Sequence, residues 1–448
     1  MTAAMDKSAR RSGIFKAMPP VALCLWGCLW LNLNTTSHYI PTGHSLDEWI
    51  LCIRAVLPFF VLPVALLIVL SQPRLKLPGL GPFGLLFVYG LVAAAASAFS
   101  PEPLVSLYWG IAFLAAMTSA WAFLCVRDPL ASSRQALQVT WAVTFVVTLI
   151  IAYLSRRVIF GSQTPGEYEV LDTLNGLSRS SGVARWAAVP ALVCLLKAYH
   201  TRRAFLVALY LGAAGCGFFI VYRMQSRGAI FGSIAALAFG MITAGRLRKY
   251  ALPFLIFGGA LLVVTDPALR FTGEVTEYMH RGQTPEEFRS MSGRAQVYED
   301  GMEAFRQAPI LGRGNWADRM VMKTHAHNSY LQALLNAGVV GFVPYAGSWI
   351  AGWILFFRLL RKGDVLLAED RLALMEAGAV MMFFTVRSMP ETTTASYSVD
   401  MLVMASVYVY LEMLTLALER RQTLLNLRAL RAFAPVPARG LRSEAQNA

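Results

Sequence analysis

Apolar runs of membrane-spanning length recur along nearly the whole 448-residue chain. A helix that crosses a bilayer needs ~20 mostly apolar residues, and fewer where neighbouring helices support it. The runs that meet this criterion lie at 19–34, 50–71, 82–100, 105–126, 137–154, 183–199, 204–222, 229–245, 250–265, 336–358, 371–388 and 398–418. The pattern predicts an all-α, polytopic membrane protein with about twelve transmembrane helices.

The composition agrees with a membrane protein, since 56% of the residues are hydrophobic and only 15% are charged. Soluble domains usually carry about a quarter charged residues. Much of the net charge of +14 comes from lysine and arginine in short connections between apolar runs and in the two tails. This placement is typical of cytoplasmic loops and argues against a nucleic-acid-binding protein. All six cysteines lie in apolar runs, so we expect neither a disulfide framework nor a zinc site.

The lysine and arginine asymmetry also predicts orientation. Connections rich in both, such as 246–249 and 358–362, are predicted to be cytoplasmic together with both termini, because positive loops resist translocation. The longer segments on the other side are then periplasmic. The chain divides accordingly into 1–265 with transmembrane helices 1 to 9, a large periplasmic loop 266–335, 336–420 with helices 10 to 12, and a basic cytoplasmic tail 421–448.

The large outer loop is predicted to be partly helical. Val297, Gly301 and Phe305 recur at helical spacing within 293–307. Pro309 and the turn-forming residues 311–315 then end that helix.

Arginine is frequent on the predicted outer side, where Lys323 is the single lysine. Arginine near membrane depth is costly, and its planar guanidinium suits phosphate or carboxylate. Many of these arginines can simply pair with nearby acidic residues. Two positions favour an anion site more strongly. Arg227 lies at the end of a span with no acidic residue close in sequence, and Arg294 lies at a predicted helix start, where the helix dipole adds to its charge.

Two of the six histidines, His325 and His327, close the outer loop just before an apolar helix. A histidine at the membrane edge with arginines nearby can act as a base near neutral pH. A hydrogen-bonding role at the interface is the alternative. A third ligand for zinc is not evident in the sequence, so we expect no metal here.

Five short motifs follow one another in the second half of the chain. They are Arg179-Ser180-Ser181-Gly182, Ser226-Arg227-Gly228, Ser292-Gly293-Arg294, Pro309-Ile310-Leu311-Gly312-Arg313-Gly314 and His327-Asn328-Ser329-Tyr330-Leu331-Gln332, with Gly338 and Gly341 after the last. In this order, and with one large outer loop late in a polytopic chain, they resemble the O-antigen ligase and polymerase superfamily over about residues 180–345.

The resemblance implies a GT-C-like membrane glycosyltransferase that acts at the periplasmic face of the bacterial inner membrane. It implies transfer of O-antigen polysaccharide from undecaprenyl diphosphate to lipid A-core oligosaccharide, with inversion and without metal or cofactor. Motif matching gives His327 the role of general base and makes Arg294 and Arg227 catalytic. His325 leaves the choice between the two histidines open. The residues implied for substrate binding are Arg179, Arg313, His325 and Asn328.

Other functions fit parts of the pattern. An O-antigen polymerase or a protein O-oligosaccharyltransferase would use the same donor with a different acceptor. A metal-dependent membrane glycosyltransferase could hold a divalent cation on Asp47 and Glu48 of the first outer loop. A transporter could use the outer arginines as an anion vestibule, although the sequence has neither convincing internal repeats nor broken midplane helices.

Overall fold

The computed structural model describes residues 18–32, 46–72, 77–126, 128–161, 180–243, 273 and 294–433. These residues are all-α, with no strand among them. The main helices are α1 (Met18–Asn32), α2 (Leu46–Leu70), α3 (Pro82–Ala96), α4 (Pro103–Ala122), α5 (Pro129–Leu154), α6 (Ser180–His200), α7 (Ala204–Arg223), α8 (Arg227–Thr243), α9 (Arg294–Arg306), α10 (Ser329–Arg361), α11 (Ala368–Arg387) and α12 (Val399–Phe433). Single turns of helix lie at Ser97–Phe99, Arg156–Ile159, Asp318–Met322 and Gly363–Val365.

Within the described residues, 7 helical segments are long and apolar enough to cross a membrane. They are Pro82–Phe99, Pro103–Ala122, Pro129–Leu154, Ser180–His200, Ala204–Arg223, Ser329–Arg361 and Val399–Leu424. Shorter apolar segments lie in α1, α2 and α8. The predicted all-α polytopic membrane architecture is therefore confirmed.

The predicted spans coincide with α1 to α8 and α10 to α12, while the run 250–265 lies outside the described residues. Several helices are longer than the apolar runs that predicted them. For example, α5 begins at Pro129 rather than at 137, because Asp128 caps it by accepting a hydrogen bond from the Ala131 amide at 3.1 Å. Hydropathy marks only the apolar part of a helix and leaves its polar end turns unmarked.

Helix α12 lies at the centre of the bundle. It contacts α3, α4, α5, α10 and α11, and residues 401–411 are buried without interruption. A helix that is apolar on every side is expected in such an interior position. The outer-loop helix α9 packs instead on α10, where Gly301 meets the side chain of Leu331.

Helix α10 is broken at Gly338, whose φ of 57° and ψ of −162° lie outside the helical region. Other residues rarely adopt this backbone conformation. A side chain at Gly338 would also collide with the carbonyl of Ile310. The break therefore requires glycine, and it leaves backbone amides and carbonyls on both sides of residue 338 without their helical partners.

Residues 309–314, which we call the inserted loop, supply the missing partners. Four backbone hydrogen bonds join the two segments: Val339 N to Pro309 O at 2.8 Å, Val340 N to Ile310 O at 3.2 Å, Arg313 N to Leu335 O at 2.9 Å and Gly314 N to Asn336 O at 2.8 Å. The loop thus replaces two helical hydrogen bonds with four of its own, which fixes the outer loop to the membrane bundle.

Candidate functional site

His327 lies at the junction between the outer loop and α10. Its φ is 48°, a left-handed conformation that is uncommon for residues other than glycine. The hydroxyl of Tyr298 on α9 donates to the His327 carbonyl at 3.1 Å. The next residue, Asn328, caps α10 by accepting from the amides of Tyr330 at 2.9 Å and Leu331 at 3.0 Å. Both neighbours hold the strained residue in place, as is common at functional sites.

Glu391, in the connection between α11 and α12, lies between two of the predicted site residues. Its Oε1 accepts from Arg294 Nη2 at 3.1 Å, and its Oε2 lies 3.9 Å from His327 Nδ1. Arg294 also donates from Nη1 to the Pro390 carbonyl at 2.6 Å. The side chains of His327, Arg294 and Glu391 are each partly exposed. A ligand can therefore reach all three.

The carboxyl of Glu391 is held in its ionised form. Burial by itself would raise its pKa, but the nearby imidazole of His327 and the guanidinium groups of Arg387 and Arg294 lower the pKa to about 2. Glu391 is therefore negatively charged at every pH at which the protein would act. A fixed negative charge beside Nδ1 favours an imidazole that carries its proton on Nδ1.

Ser329, the first residue of α10, joins the α11–α12 connection, which carries Glu391, to the start of α10. Its Oγ donates to the Glu391 carbonyl at 3.0 Å and accepts from the Thr393 amide at 2.7 Å. Its own amide donates to the Ser388 carbonyl at 3.0 Å. The residue that follows the cap of α10 thus sets the position of Glu391 relative to His327.

The start of α8 lies against the same connection. A Cβ added to Gly228 would lie 3.4 Å from Pro390 Cγ and 3.7 Å from Glu391 Cγ. Arg227, the residue before it, is the first residue of α8, just as Arg294 is the first residue of α9. Each arginine is therefore placed at the positive end of a helix dipole. The structure brings His327, Arg294 and the chain at Arg227 together around Glu391.

This arrangement can be compared with known families. Residues 212–346 match the model of the family described as O-antigen ligase. This match, over less than a third of the chain, supports assignment to the O-antigen ligase superfamily. Together with the apolar helices, it supports a multi-pass membrane glycosyltransferase of the O-antigen ligase or polymerase type, with lipid-linked polysaccharide and lipid substrates. A comparison with curated proteins gave no match. The matched region includes Arg227, Arg294 and His327 but ends before Glu391.

The other predicted binding residues that the structure describes lie around that centre. The ring of His325 lies 5.5 Å from the ring of His327, measured between centroids. Arg313 belongs to the inserted loop, and its Nη2 donates to Gln307 Oε1 at 3.0 Å near the C-terminal end of α9. The side chain of Asn328 is engaged in capping and in a hydrogen bond from Nδ2 to the Met389 carbonyl at 3.1 Å. Arg179 lies outside the described residues.

A pocket of about 250 Å³ lies beside His327, next to Tyr298 and Asn328. Tyr298, Met302, Asn328, Leu331 and Leu334 line it. The candidate site therefore has a charged side, with Glu391 and the arginines, and a more apolar side formed by α9 and the start of α10.

In the described part of the chain, no group of three or more histidine, cysteine, aspartate or glutamate residues is placed to hold a metal ion. Asp47 and Glu48, which the sequence places in a loop, lie instead in the first turn of α2. The apolar pattern begins only after them, so hydropathy assigned this turn to the loop.

Proposed function

We propose that this membrane glycosyltransferase transfers O-antigen polysaccharide from undecaprenyl diphosphate to lipid A-core oligosaccharide. The reaction is inverting, requires no metal, and takes place at the periplasmic face of the bacterial inner membrane. The observation that carries this proposal is the convergence of His327, Arg294 and the start of α8 on Glu391. These groups offer a base and fixed positive charge, which a lipid diphosphate donor needs.

His327 serves as the general base in this proposal. A sugar hydroxyl is a poor nucleophile until a base takes its proton, and such a base typically contributes about 10²–10⁴-fold in rate. With the Nδ1 proton directed toward Glu391, Nε2 is left to accept the proton of the acceptor hydroxyl. Glu391 then stabilises the imidazolium that forms, in the way an orienting carboxylate does in other catalytic triads.

The arginines stabilise the leaving group. As the acceptor oxygen bonds to the anomeric carbon, the bond from that carbon to the diphosphate oxygen breaks and negative charge grows on the diphosphate. Guanidinium groups fixed at the starts of α8 and α9 meet this charge in a partly dehydrated site, where electrostatic interactions are strong. Attack from the face opposite the leaving diphosphate, with one base, inverts the anomeric centre.

The distribution of charge supports a periplasmic location. The site is built from the start of α8, the start of α10 and the α11–α12 connection. The opposite end of the bundle carries Arg358, Arg361 and Lys362 together with Arg420, Arg421, Arg428 and Arg431 in the C-terminal part of α12. By the positive-inside rule that opposite end is cytoplasmic.

The test is a transfer assay with detergent-purified protein and labelled lipid-linked glycan in the presence of a metal chelator. Lipid A-core and a second lipid-linked glycan are offered as competing acceptors. Labelled lipid A-core is the expected product. Elongated lipid-linked glycan would identify a polymerase instead, and donor binding without any transfer would favour a transporter.

Two histidine variants test the base in the same assay. His327→Ala should abolish transfer while the protein still binds the lipid-linked donor, because the arginines hold the diphosphate. His325→Ala is the matched control, and its effect should be milder. Full transfer by His327→Ala would remove the base assignment.

A further inference from the structure

A second charged cluster lies beside the site, between α6, α11 and α12. Arg387 Nη1 donates to Asp400 Oδ2 at 2.8 Å, and Arg185 Nη1 lies 3.2 Å from Asp400 Oδ1. Arg387 and Asp400 are almost fully buried, with 3% and 0% of their side chains exposed, whereas Arg185 keeps 16% exposed. We call these three residues the buried triad. Arg185 is its one member that a ligand can reach.

The hydrogen-bonding capacity of the buried triad is only partly used. Asp400 Oδ1 accepts no aligned hydrogen bond within the described structure, although Arg185 Nη1 is close to it. The Nε atoms of Arg185 and Arg387 are also buried without a hydrogen-bond partner among the described residues. A guanidinium has five N–H donors, and buried polar groups are nearly always paired. Pairing within the buried triad therefore leaves part of the hydrogen-bonding capacity of Arg185 unused.

The charges of the buried triad do not balance. Among the described residues, two arginines face one carboxylate, which leaves a net positive charge inside a membrane bundle, where such a charge is expensive. The Glu391 amide donates to the Arg387 carbonyl at 3.1 Å, so the triad adjoins the Glu391 connection. With Arg294 and Glu391 included, the ion-paired side chains of the described site comprise three arginines and the two carboxylates of Asp400 and Glu391.

Another ion pair of the same bundle shows the arrangement expected of a purely structural contact. Arg134 on α5 lies 2.7 Å from Glu369 and 2.7 Å from Asp370 at the start of α11. There one arginine has two carboxylates, and the side chain of Arg134 is about as exposed as that of Arg185, at 22%. Arg134 and Arg185 both leave Nε without a partner among the described residues, so the two clusters differ in their charge ratio. The buried triad has the reverse ratio, with a surplus of arginine. A surplus suits a site that receives an anion.

We propose that Arg185 is a further anion-binding residue, which donates to a phosphate oxygen of the lipid diphosphate donor. This inference rests on the proposed function and adds a residue outside the family motifs. Arg387 and Asp400 hold the guanidinium of Arg185 in position. The positive surplus among the described side chains favours the more highly charged diphosphate over a monophosphate. Arg185 therefore contributes selectivity for lipid diphosphate over lipid monophosphate.

The experiment compares undecaprenyl diphosphate and undecaprenyl monophosphate as inhibitors of transfer by the full-length protein in detergent. In the wild type the diphosphate should inhibit at a lower concentration. Loss of a hydrogen bond between charged groups corresponds to about a 10- to 100-fold loss of affinity. Arg185→Gln should therefore reduce the ratio of the two inhibition constants by about 10-fold or more. The donor KM should rise more than kcat falls.

Arg134→Gln is the matched control, since it breaks an ion pair of similar exposure at the opposite end of the bundle. It should leave the inhibitor ratio unchanged even if stability falls. A folded Arg185→Gln variant with the wild-type ratio would overturn the proposal. If Arg185→Gln does not fold, Arg185→Met decides the question, because it removes the charge and the donors but keeps an unbranched side chain of similar size. A wild-type ratio in Arg185→Met would then reject the role of Arg185.

The two proposals fail in different ways. A wild type that transfers glycan from lipid diphosphate while Arg185→Gln keeps its inhibitor ratio refutes the inference on Arg185 alone. A wild type that transfers nothing refutes the proposed function. Binding by Arg185 can then still be tested by thermal unfolding. Undecaprenyl diphosphate and monophosphate are each added to the wild type and to Arg185→Gln, and the shifts in unfolding temperature are compared.

Discussion

Replacing Glu391 with glutamine tests whether a carboxylate must stand beside the proposed base. The change keeps the size of the side chain and removes the negative charge that faces Arg294 and His327. In the wild type the surroundings of Glu391 lower its pKa from 4.5 to about 2. At 1.36 kcal/mol for each pH unit, those surroundings favour the ionised carboxylate by about 3 kcal/mol.

The expected result is a large loss of rate with a smaller loss of stability. Without the carboxylate, the imidazole of His327 is no longer held with Nδ1 protonated, and the imidazolium formed in the reaction lacks its partner. Base catalysis is worth about 10²–10⁴-fold, so kcat for transfer should fall by about 10²-fold or more. The free energy of unfolding should fall by no more than about 3 kcal/mol, since glutamine also avoids the cost of burying a charge.

The pH dependence of stability gives a second readout. Because the pKa of Glu391 is lowered in the folded protein, its stabilising effect is complete above its ordinary value of 4.5 and is lost as the pH falls through about 2. The part of the difference in unfolding free energy between wild type and Glu391→Gln that comes from the carboxyl itself should therefore be constant between about pH 5 and 8. It should shrink only in stronger acid.

The assay is single-turnover transfer from labelled lipid-linked glycan, with thermal unfolding in the same detergent. The control is Glu303→Gln on α9, the same chemical change at an exposed ion pair with Arg306. That variant should transfer at the wild-type rate, since exposed ion pairs contribute little. Glu391→Gln with kcat within about twofold of wild type would refute the positioning role.

Three further predictions follow from the arginines, the helix break and the topology. Arg294→Lys and Arg227→Lys should each lower transfer about 10-fold or more, because lysine lacks the planar fork; intact transfer in both would exclude two-pronged phosphate recognition. Gly338→Ala should destabilise the protein by about 2 kcal/mol or more, measured by thermal unfolding, since it forces a side chain into a left-handed conformation. Extracellular thiol labelling should modify a cysteine introduced at Thr284 but not one at Gly363, and the reverse pattern would invert the topology.

Gly347, also on α10, is the matched control for the helix break. A Cβ there would meet Leu85 at 3.4 Å, an ordinary contact, and its φ is not in the left-handed range. Gly347→Ala should therefore leave the unfolding temperature unchanged or slightly raised. If Gly338→Ala and Gly347→Ala lower the unfolding temperature equally, the helix break at Gly338 does not require glycine.

Periodicity and hydropathy predicted most of the fold, because a helix in a membrane must be apolar along its length. The same reasoning predicted that Arg294 would begin a helix, since Ser292 and Gly293 precede it and an amphipathic run follows. The helix α9 is confirmed over Arg294–Arg306. Local sequence carries such information because capping and periodicity act within a few residues.

Glu391 could not be found in this way, because its partners are distant in sequence. It lies in a short connection between two spans, and only the packing of α10 against that connection brings it to His327. Arg185 and Arg387 did carry a local signal, since both lie inside predicted spans, at 183–199 and 371–388. A charged residue within a span is by itself a reason to expect a functional site.

The inserted loop has a consequence for exchanging parts between proteins of this superfamily. Its attachment uses backbone amides and carbonyls, so the other side chains of 309–314 can change without loss of the attachment, provided that Gly312 and Gly314, both at positive φ, are kept. The attachment also depends on the broken turn around Gly338, which a continuous helix lacks. A chimera that takes its outer loop from one parent and α10 from another would therefore leave four backbone groups unmatched. The segments 294–314 and 329–340 form one structural unit, so a chimera should take both from the same parent.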